Sequence, residues 1–231
     1  IRHVLDIAGR NGVSVISDEI HADLVYPGKK HIPLNVLGKE YNVQTVTCMA
    51  PSKTFNIAGE HMSMTIFKDK ELKNQFVALQ ARRCEQELSL FSLTAGKAAY
   101  THGKEWLEEL LGYLQGNVDF IAQYMEKNIP QIRFIRPSAS FVGILDCTTL
   151  LPRVEADAAA HPELYNPAKS PNGGVMSRFF GQRASVAVND GTWFGGDEFR
   201  GWVRFNFGTQ RSAIETALGR LKAAVDALPQ A

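Results

Sequence analysis

Two residues with usable chemistry stand where apolar runs end. Val13-Ser14-Val15-Ile16-Ser17 is a short β-branched run that reads as a buried strand, and Asp18 follows it at once. Val43-Gln44-Thr45-Val46-Thr47-Cys48-Met49 reads as a second strand, and Lys53 lies in the loop expected after it, Ala50-Pro51-Ser52-Lys53-Thr54-Phe55-Asn56. A lysine amine is a nucleophile once neutral, and its pKa drops readily in a desolvated, cationic site. In open α/β sheets, ligands bind outside the carboxyl ends of the strands, so Asp18 and Lys53 are candidates for one site. On placement alone a plainer reading stays open, in which Asp18 caps the next turn and Lys53 is a solvated loop lysine.

The elements that must position these residues follow from patterning. Residues 1–11 read as the end of an amphipathic helix, with Ile1, Val4, Leu5 and Ala8 at helical spacing and Gly12 at its exit. Met62–Phe67 is a third strand candidate. Residues 70–90 and 94–127 are long amphipathic stretches, the second with Trp106, Leu107, Leu110, Leu111 and Leu114 on one face. Strands are expected at 132–135, 140–145, 184–188 and 202–207, and a short helix at 175–182. A closing helix over 211–227 carries Ile214, Leu218, Leu221 and Val225 on one face. Residues 150–174, rich in Pro, Ala, Asn and Gly, read as a surface insertion. The sum is an α/β half-sheet followed by a smaller α+β domain, with a boundary expected at residues 95–96.

Composition narrows the function classes. The 231 residues are 45% hydrophobic and 21% charged, ordinary for a globular protein, and suffice to bury roughly 70% or more of the unfolded surface. The formal net charge is +1 with no long like-charge run, so nothing electrostatic points to nucleic acid or an anionic membrane. Cys48, Cys84 and Cys147 form no CxxC pair and no metal-ligand spacing, which fits reduced thiols in a cytoplasmic protein and no metal. No apolar stretch reaches the ~18 residues that span a bilayer. The chain begins on Ile1 rather than Met and inside a helical pattern, and is expected to have more sequence upstream.

Three ordered blocks carry a resemblance: Ser17-Asp18-Glu19-Ile20-His21-Ala22-Asp23-Leu24-Val25-Tyr26, then Ala50-Pro51-Ser52-Lys53-Thr54-Phe55-Asn56-Ile57-Ala58-Gly59, then Val203-Arg204-Phe205-Asn206-Phe207-Gly208. With Trp106-Leu107, Val188-Asn189-Asp190-Gly191 and Trp193-Phe194-Gly195, they resemble the class I/II aminotransferase fold type of pyridoxal-phosphate (PLP) enzymes. The first two blocks are most similar to its cystathionine β-lyase branch of C–S lyases, the MalY/PatB group. The resemblance implies an α/β fold, with part of the aspartate-aminotransferase-like large-domain sheet in residues 1–95. A smaller C-terminal α+β domain would fill 96–231.

It also implies roles. Lys53 matches the lysine that binds PLP as a Schiff base and moves the substrate's Cα proton. Asp18 matches the anion that keeps the pyridine nitrogen protonated, so that the ring acts as an electron sink. His21 lies where relatives place a donor to the cofactor's 3′ oxygen, or is structural. Ser52 is a candidate phosphate contact, or a turn-former. Arg204 matches the arginine that holds the substrate α-carboxylate by a planar fork; the plainer reading is a surface arginine at a strand start. Arg211 supports that strand or simply begins the last helix. Implied as well are a small amino-acid substrate, a homodimer, and C–S lyase chemistry by α,β-elimination on a cysteine-type amino acid, with an aminotransferase as the alternative. A non-catalytic remnant of the fold is the competing class.

Two departures stand out. Glu60-His61 intervene before Met62, where an acid near a phosphate would be repulsive. Nothing matches the family's N-terminal half, with its phosphate-binding turn, ring-stacking aromatic and asparagine. The chain reads as a C-terminal portion, expected to be inactive alone.

Overall fold

The computed structural model describes residues 1–38, 40–85, 88–169 and 173–229. The chain divides into two compact units, Ile1–Gly112 and Tyr113–Ala231. In the first, helix α1 (Arg2–Arg10) precedes strand β1 (Val15–Asp18), the short helix α2 (Leu34–Gly38) and strand β2 (Thr45–Met49). There follow a single helical turn, α3 (Pro51–Thr54), strand β3 (Met64–Phe67), and helices α4 (Lys70–Arg82), α5 (Leu90–His102) and α6 (Lys104–Asn128). The stretch expected as one helix over 94–127 is thus two. Gly103 separates them, donating to the Ala99 carbonyl at 2.8 Å as it closes α5. The two units part within α6, whereas a boundary at 95–96 would fall inside α5.

The sheet of this unit runs β1-β2-β3, with β1 parallel and β3 antiparallel to β2. α1 packs Leu5 and Ala8 against Leu34 and Val43, with Val15 beside them. Gly12 makes the exit from α1 in the left-handed region, φ +63°. β1 is not the buried strand that its β-branched run suggests. It forms the sheet's edge, and because successive side chains face opposite ways, Val15 reaches the α1 core while Ile16 is 73% exposed.

The second unit holds most of α6, strands β4 (Arg133–Ile135) and β5 (Val142–Asp146), helices α7 (Leu151–Ala160) and α8 (Val175–Ala184), strand β6 (Asn189–Asp190), the short helix α9 (Thr192–Gly195), strand β7 (Trp202–Asn206) and helix α10 (Arg211–Asp226). Its sheet is antiparallel throughout, in the order β4-β5-β7-β6. Its core takes Leu114, Val118, Ile121 and Met125 from α6, Leu145 from β5, Phe179 and Phe180 from α8, Val203 and Phe205 from β7, and Ile214, Leu218 and Leu221 from α10.

Two expectations are corrected here. Residues 184–188 are not a strand: α8 runs to Ala184, and Ser185 turns the chain with φ +54° before β6 begins at Asn189. Nor are residues 150–174 a surface insertion. Leu150 and Val154 are fully buried, and Asp157 and Tyr165 nearly so; residues 170–172 lie outside the described residues. The physical reason is a buried polar cluster. The Asp157 carboxylate accepts from Arg183 Nε at 2.9 Å, Arg183 Nη2 at 2.6 Å and the Tyr165 hydroxyl at 2.6 Å. Among the described residues, no helix is long and apolar enough to cross a membrane.

Candidate active site

Asp18 is the last residue of β1 and stands in register with Cys48 of β2. The strands are parallel, so their carboxyl ends open on one side of the sheet, and the segments that follow both strands meet there. Glu19 continues the pairing by donating its N–H to the Cys48 carbonyl at 2.8 Å. Its side chain turns inward and is buried. Oε1 accepts from the Leu34 N–H at 2.8 Å, and Oε2 lies 2.7 Å from His31 Nε2. Burial pushes the Glu19 carboxyl up, but the bonds from His31 and Leu34 outweigh it and hold the group below its usual range. Of these adjacent acids, Glu19 anchors the chain and Asp18 is left exposed, with Oδ1 accepting from the Ile20 N–H at 3.1 Å. The turn-capping role is therefore real for one oxygen of Asp18.

Lys53 sits on the helical turn α3 rather than in a loop. Ala50 is the extended N-cap, Pro51 takes the first helical position, where its fixed φ suits the turn, and the Phe55 N–H donates to the Pro51 carbonyl at 2.9 Å. Asn56, at φ +54°, ends the turn, and the Ile57 N–H returns to the Ser52 carbonyl at 3.1 Å. The Lys53 side chain is exposed and has no hydrogen-bond or ion-pair partner among the described residues.

Its neighbours are pinned. Thr54 is fully buried and donates its hydroxyl to Asp23 Oδ2 at 3.0 Å, and the Tyr100 hydroxyl donates to the same oxygen at 3.3 Å. Burial first, then the Asp23 charge, push the Tyr100 phenol up to about 12, so it remains a donor at neutral pH. Phe55 meets Tyr100 edge-on at 5.5 Å and Trp106 at 5.9 Å. A Cβ at Gly103 would come within 2.5 Å of the Phe55 ring, so glycine is what lets the end of α5 approach it. Asp23 and Tyr100 had no signal as a pair in the sequence, since each is remote in the chain from at least one of its partners. Ser52 and His21 are half-buried in the segments after β2 and β1. Glu60 offers its carbonyl to the Ser92 hydroxyl at 2.6 Å. Asp18, His21, Ser52 and Lys53 all belong to the unit Ile1–Gly112.

Arg204 belongs to the other unit, on β7, opposite Ile144 of β5 and Asn189 of β6. Its Nε and Nη2 donate to Asn189 Oδ1 at 3.2 and 2.8 Å, and its guanidinium carbon lies 5.0 Å from the Phe194 ring centre. Beside it is an apolar pocket of about 200 Å³, lined by Ile135, Ile144, Phe194, Phe199 and Trp202. Arg211 opens α10 and is tied into the strand end. Its Nε donates to Asn117 Oδ1 at 2.7 Å, while Asn117 Nδ2 donates to the carbonyls of Phe207 and Thr209, both at 3.1 Å. Sequence reasoning did not single out Asn117, whose apolar neighbours on α6 mask its role.

The chain has relatives among known proteins. Residues 1–221 match the family described as aminotransferase class I and II. The chain belongs to that family. Among curated class I/II relatives, cystathionine beta-lyase PatB of Bacillus subtilis (strain 168) is 33% identical over 216 residues, covering 93% of this chain and 50% of its own length. Protein MalY of Escherichia coli (strain K12) is 32% identical over 225 residues, 96% of this chain and 52% of its own. The solved PLP-bound C–S lyase from Staphylococcus hominis superposes with a TM-score of 0.79 at 28% identity, over 97% of this chain and 52% of that one. The fold is that of these class I/II enzymes, and the chain spans about half the length of the relatives it matches.

Proposed function

We propose that this chain works within a PLP-dependent C–S lyase that carries out α,β-elimination on a cysteine-type amino acid. The observation that carries the reading is the parallel β1–β2 pair, which ends in Asp18 on one strand and leads to Lys53 on the turn after the other. The donor set fits the cofactor. Asp18 is an exposed carboxylate whose one described bond is to a backbone N–H, and Lys53 is an exposed amine on a turn whose flanking residues are fixed. When bound, PLP supplies an electron sink for a carbanion at the substrate's Cα.

The residues of the chain divide the remaining work. Asp18 would hold a proton on the ring nitrogen through a charge-assisted bond. Lys53 would hold the cofactor, and its amine would take the proton from the substrate's Cα. His21 and Ser52 would be further donors to the cofactor. Arg204 holds the α-carboxylate by its planar fork. The thiol leaves from Cβ, and with uptake of water the remaining carbon skeleton departs as an oxo acid and ammonia. The unit Ile1–Gly112 serves as part of the cofactor-binding domain, with Tyr113–Ala231 as the smaller domain. The full enzyme acts as a homodimer in the cytoplasm on a small amino acid. The similarity at about 30% to proteins named cystathionine beta-lyase favours elimination over amino transfer. Because the chain spans half of their length, alone it is catalytically silent.

One experiment on the full-length holoenzyme tests both halves of the reading. Reduction with borohydride followed by peptide mapping places the phosphopyridoxyl label on Lys53; a label on another lysine refutes the assignment. Cystathionine should yield ammonia and pyruvate without an oxo-acid acceptor. Product that appears only when an oxo acid is added assigns the enzyme to amino transfer instead.

A further inference from the structure

Arg204 is held by a neutral partner although the residue next to that partner in the chain is an acid. Asn189 and Asp190 are consecutive on β6, and the strand turns them to different tasks. The amide oxygen of Asn189 accepts both Nε and Nη2 of Arg204. The Asp190 carboxylate is buried and fully occupied elsewhere: Oδ2 accepts from the Ser177 N–H at 2.9 Å in the first turn of α8, and Oδ1 from the Thr192 N–H at 3.2 Å and hydroxyl at 2.8 Å. Gly174 makes room for it, since a Cβ there would stand 2.3 Å from the carboxylate. Among the described residues Arg204 is in no ion pair, and its guanidinium also lies over the uncharged Phe194 ring. The guanidinium is thus oriented from one side while its charge is left unneutralised, beside a pocket lined by apolar side chains.

We infer that Asn189 is a positioning and specificity-determining residue, which fixes the Arg204 fork without neutralising it, so that the site selects a carboxylate over an uncharged group of the same shape. This rests on the reading of Arg204 as the carboxylate holder and adds what makes that arginine selective. A carboxylate at position 189 could accept the same two bonds and would also supply the countercharge. The ligand would then have to displace an internal ion pair.

The test uses isobutyrate as probe, with isobutyramide as its uncharged match in shape, titrated into the chain and followed at the Arg204 Nε–H resonance by NMR. The unaltered chain should respond saturably to isobutyrate and far less to isobutyramide. Asn189→Asp should weaken isobutyrate binding by roughly 10- to 100-fold, the worth of one charged hydrogen-bonded pair, and leave isobutyramide nearly unchanged. Asn189→Ala keeps the charge unneutralised but loses the orientation; it should bind isobutyrate a few-fold more weakly and retain the preference for the anion. In the full-length holoenzyme, Asn189→Asp should raise KM for the amino acid by a similar factor with kcat little changed. If Asn189→Asp weakens both probes equally, or neither, the inference is overturned while the carboxylate reading of Arg204 stands. If Arg204 in the unaltered chain ignores isobutyrate, the carboxylate reading itself falls.

Discussion

Replacing Asp157 by Asn removes one negative charge from a site where it is almost wholly shielded from water. The carboxylate is 5% exposed and accepts three bonds, two from Arg183, whose side chain is 31% exposed, and one from the buried Tyr165 hydroxyl. Breaking a fully buried ion pair costs about 3–5 kcal/mol. Arg183 keeps some water, and an asparagine oxygen can still accept one bond, so the expected cost is about 2–3 kcal/mol. For a unit of this size that lowers Tm by roughly 5–15 °C.

The change also carries a pH signature. Burial pushes the Asp157 carboxyl up, but the bonds from Arg183 and Tyr165 hold it below the ordinary carboxylate value. A depressed native pKa means that this stability is present above the unfolded value, near 3.9, and is lost as pH falls through the native one. Thermal melts at neutral pH and at steps down through pH 4 should show the native chain losing stability towards acid, with Asp157→Asn starting lower and falling less. A neutral-pH loss within about 0.5 kcal/mol, as for an ordinary surface substitution, would refute the claim that this segment is part of the core.

Three further outcomes are expected. Asn117→Ala leaves two carbonyls and the Arg211 Nε–H without their shared partner, and should cost about 2–4 kcal/mol in urea denaturation with little change in m. Arg204→Lys keeps a charge but loses the fork, so the KM of the full-length enzyme for amino acids should rise about tenfold or more while its cofactor absorbance is unchanged. PLP titrated into the 231-residue chain should give no saturable absorbance band at micromolar concentration, and a tight band would show that the chain needs no further segment to hold it.

Strands and helices with an unbroken period were readable from the residues alone. The β-branched stretch that became β2 and the face Ile214, Leu218, Leu221, Val225 of α10 each carry a period long enough to set the element. Short or interrupted elements were not. The α3 turn under Lys53 is four residues long, too few to show a period, and Pro51 at its first position reads equally well as a loop residue. Val186 and Val188 look like a strand, yet the left-handed Ser185 and the capping of α8 decide otherwise. The positions of Asp18 and Lys53 were legible because they depend on strand ends. The supports within each unit were not, because Asp23 with Tyr100 in the first and Asn189 with Arg204 in the second are pairings that only the folded topology makes.

In the second unit the strand formed last in the chain lies inside the sheet. β7 pairs with β5 on one side and β6 on the other, and its register joins Val142 to Asn206 and Asp146 to Trp202. On a ribosome, β4 and β5 therefore emerge as a hairpin whose inner edge has no partner until roughly 60 more residues are made, a wait of roughly 3–12 s at about 5–20 residues per second. Throughout that interval the unpaired edge of β5 is a template for any passing strand. Vectorial synthesis thus leaves the β5 edge open for a time that refolding of the finished chain from denaturant would not reveal.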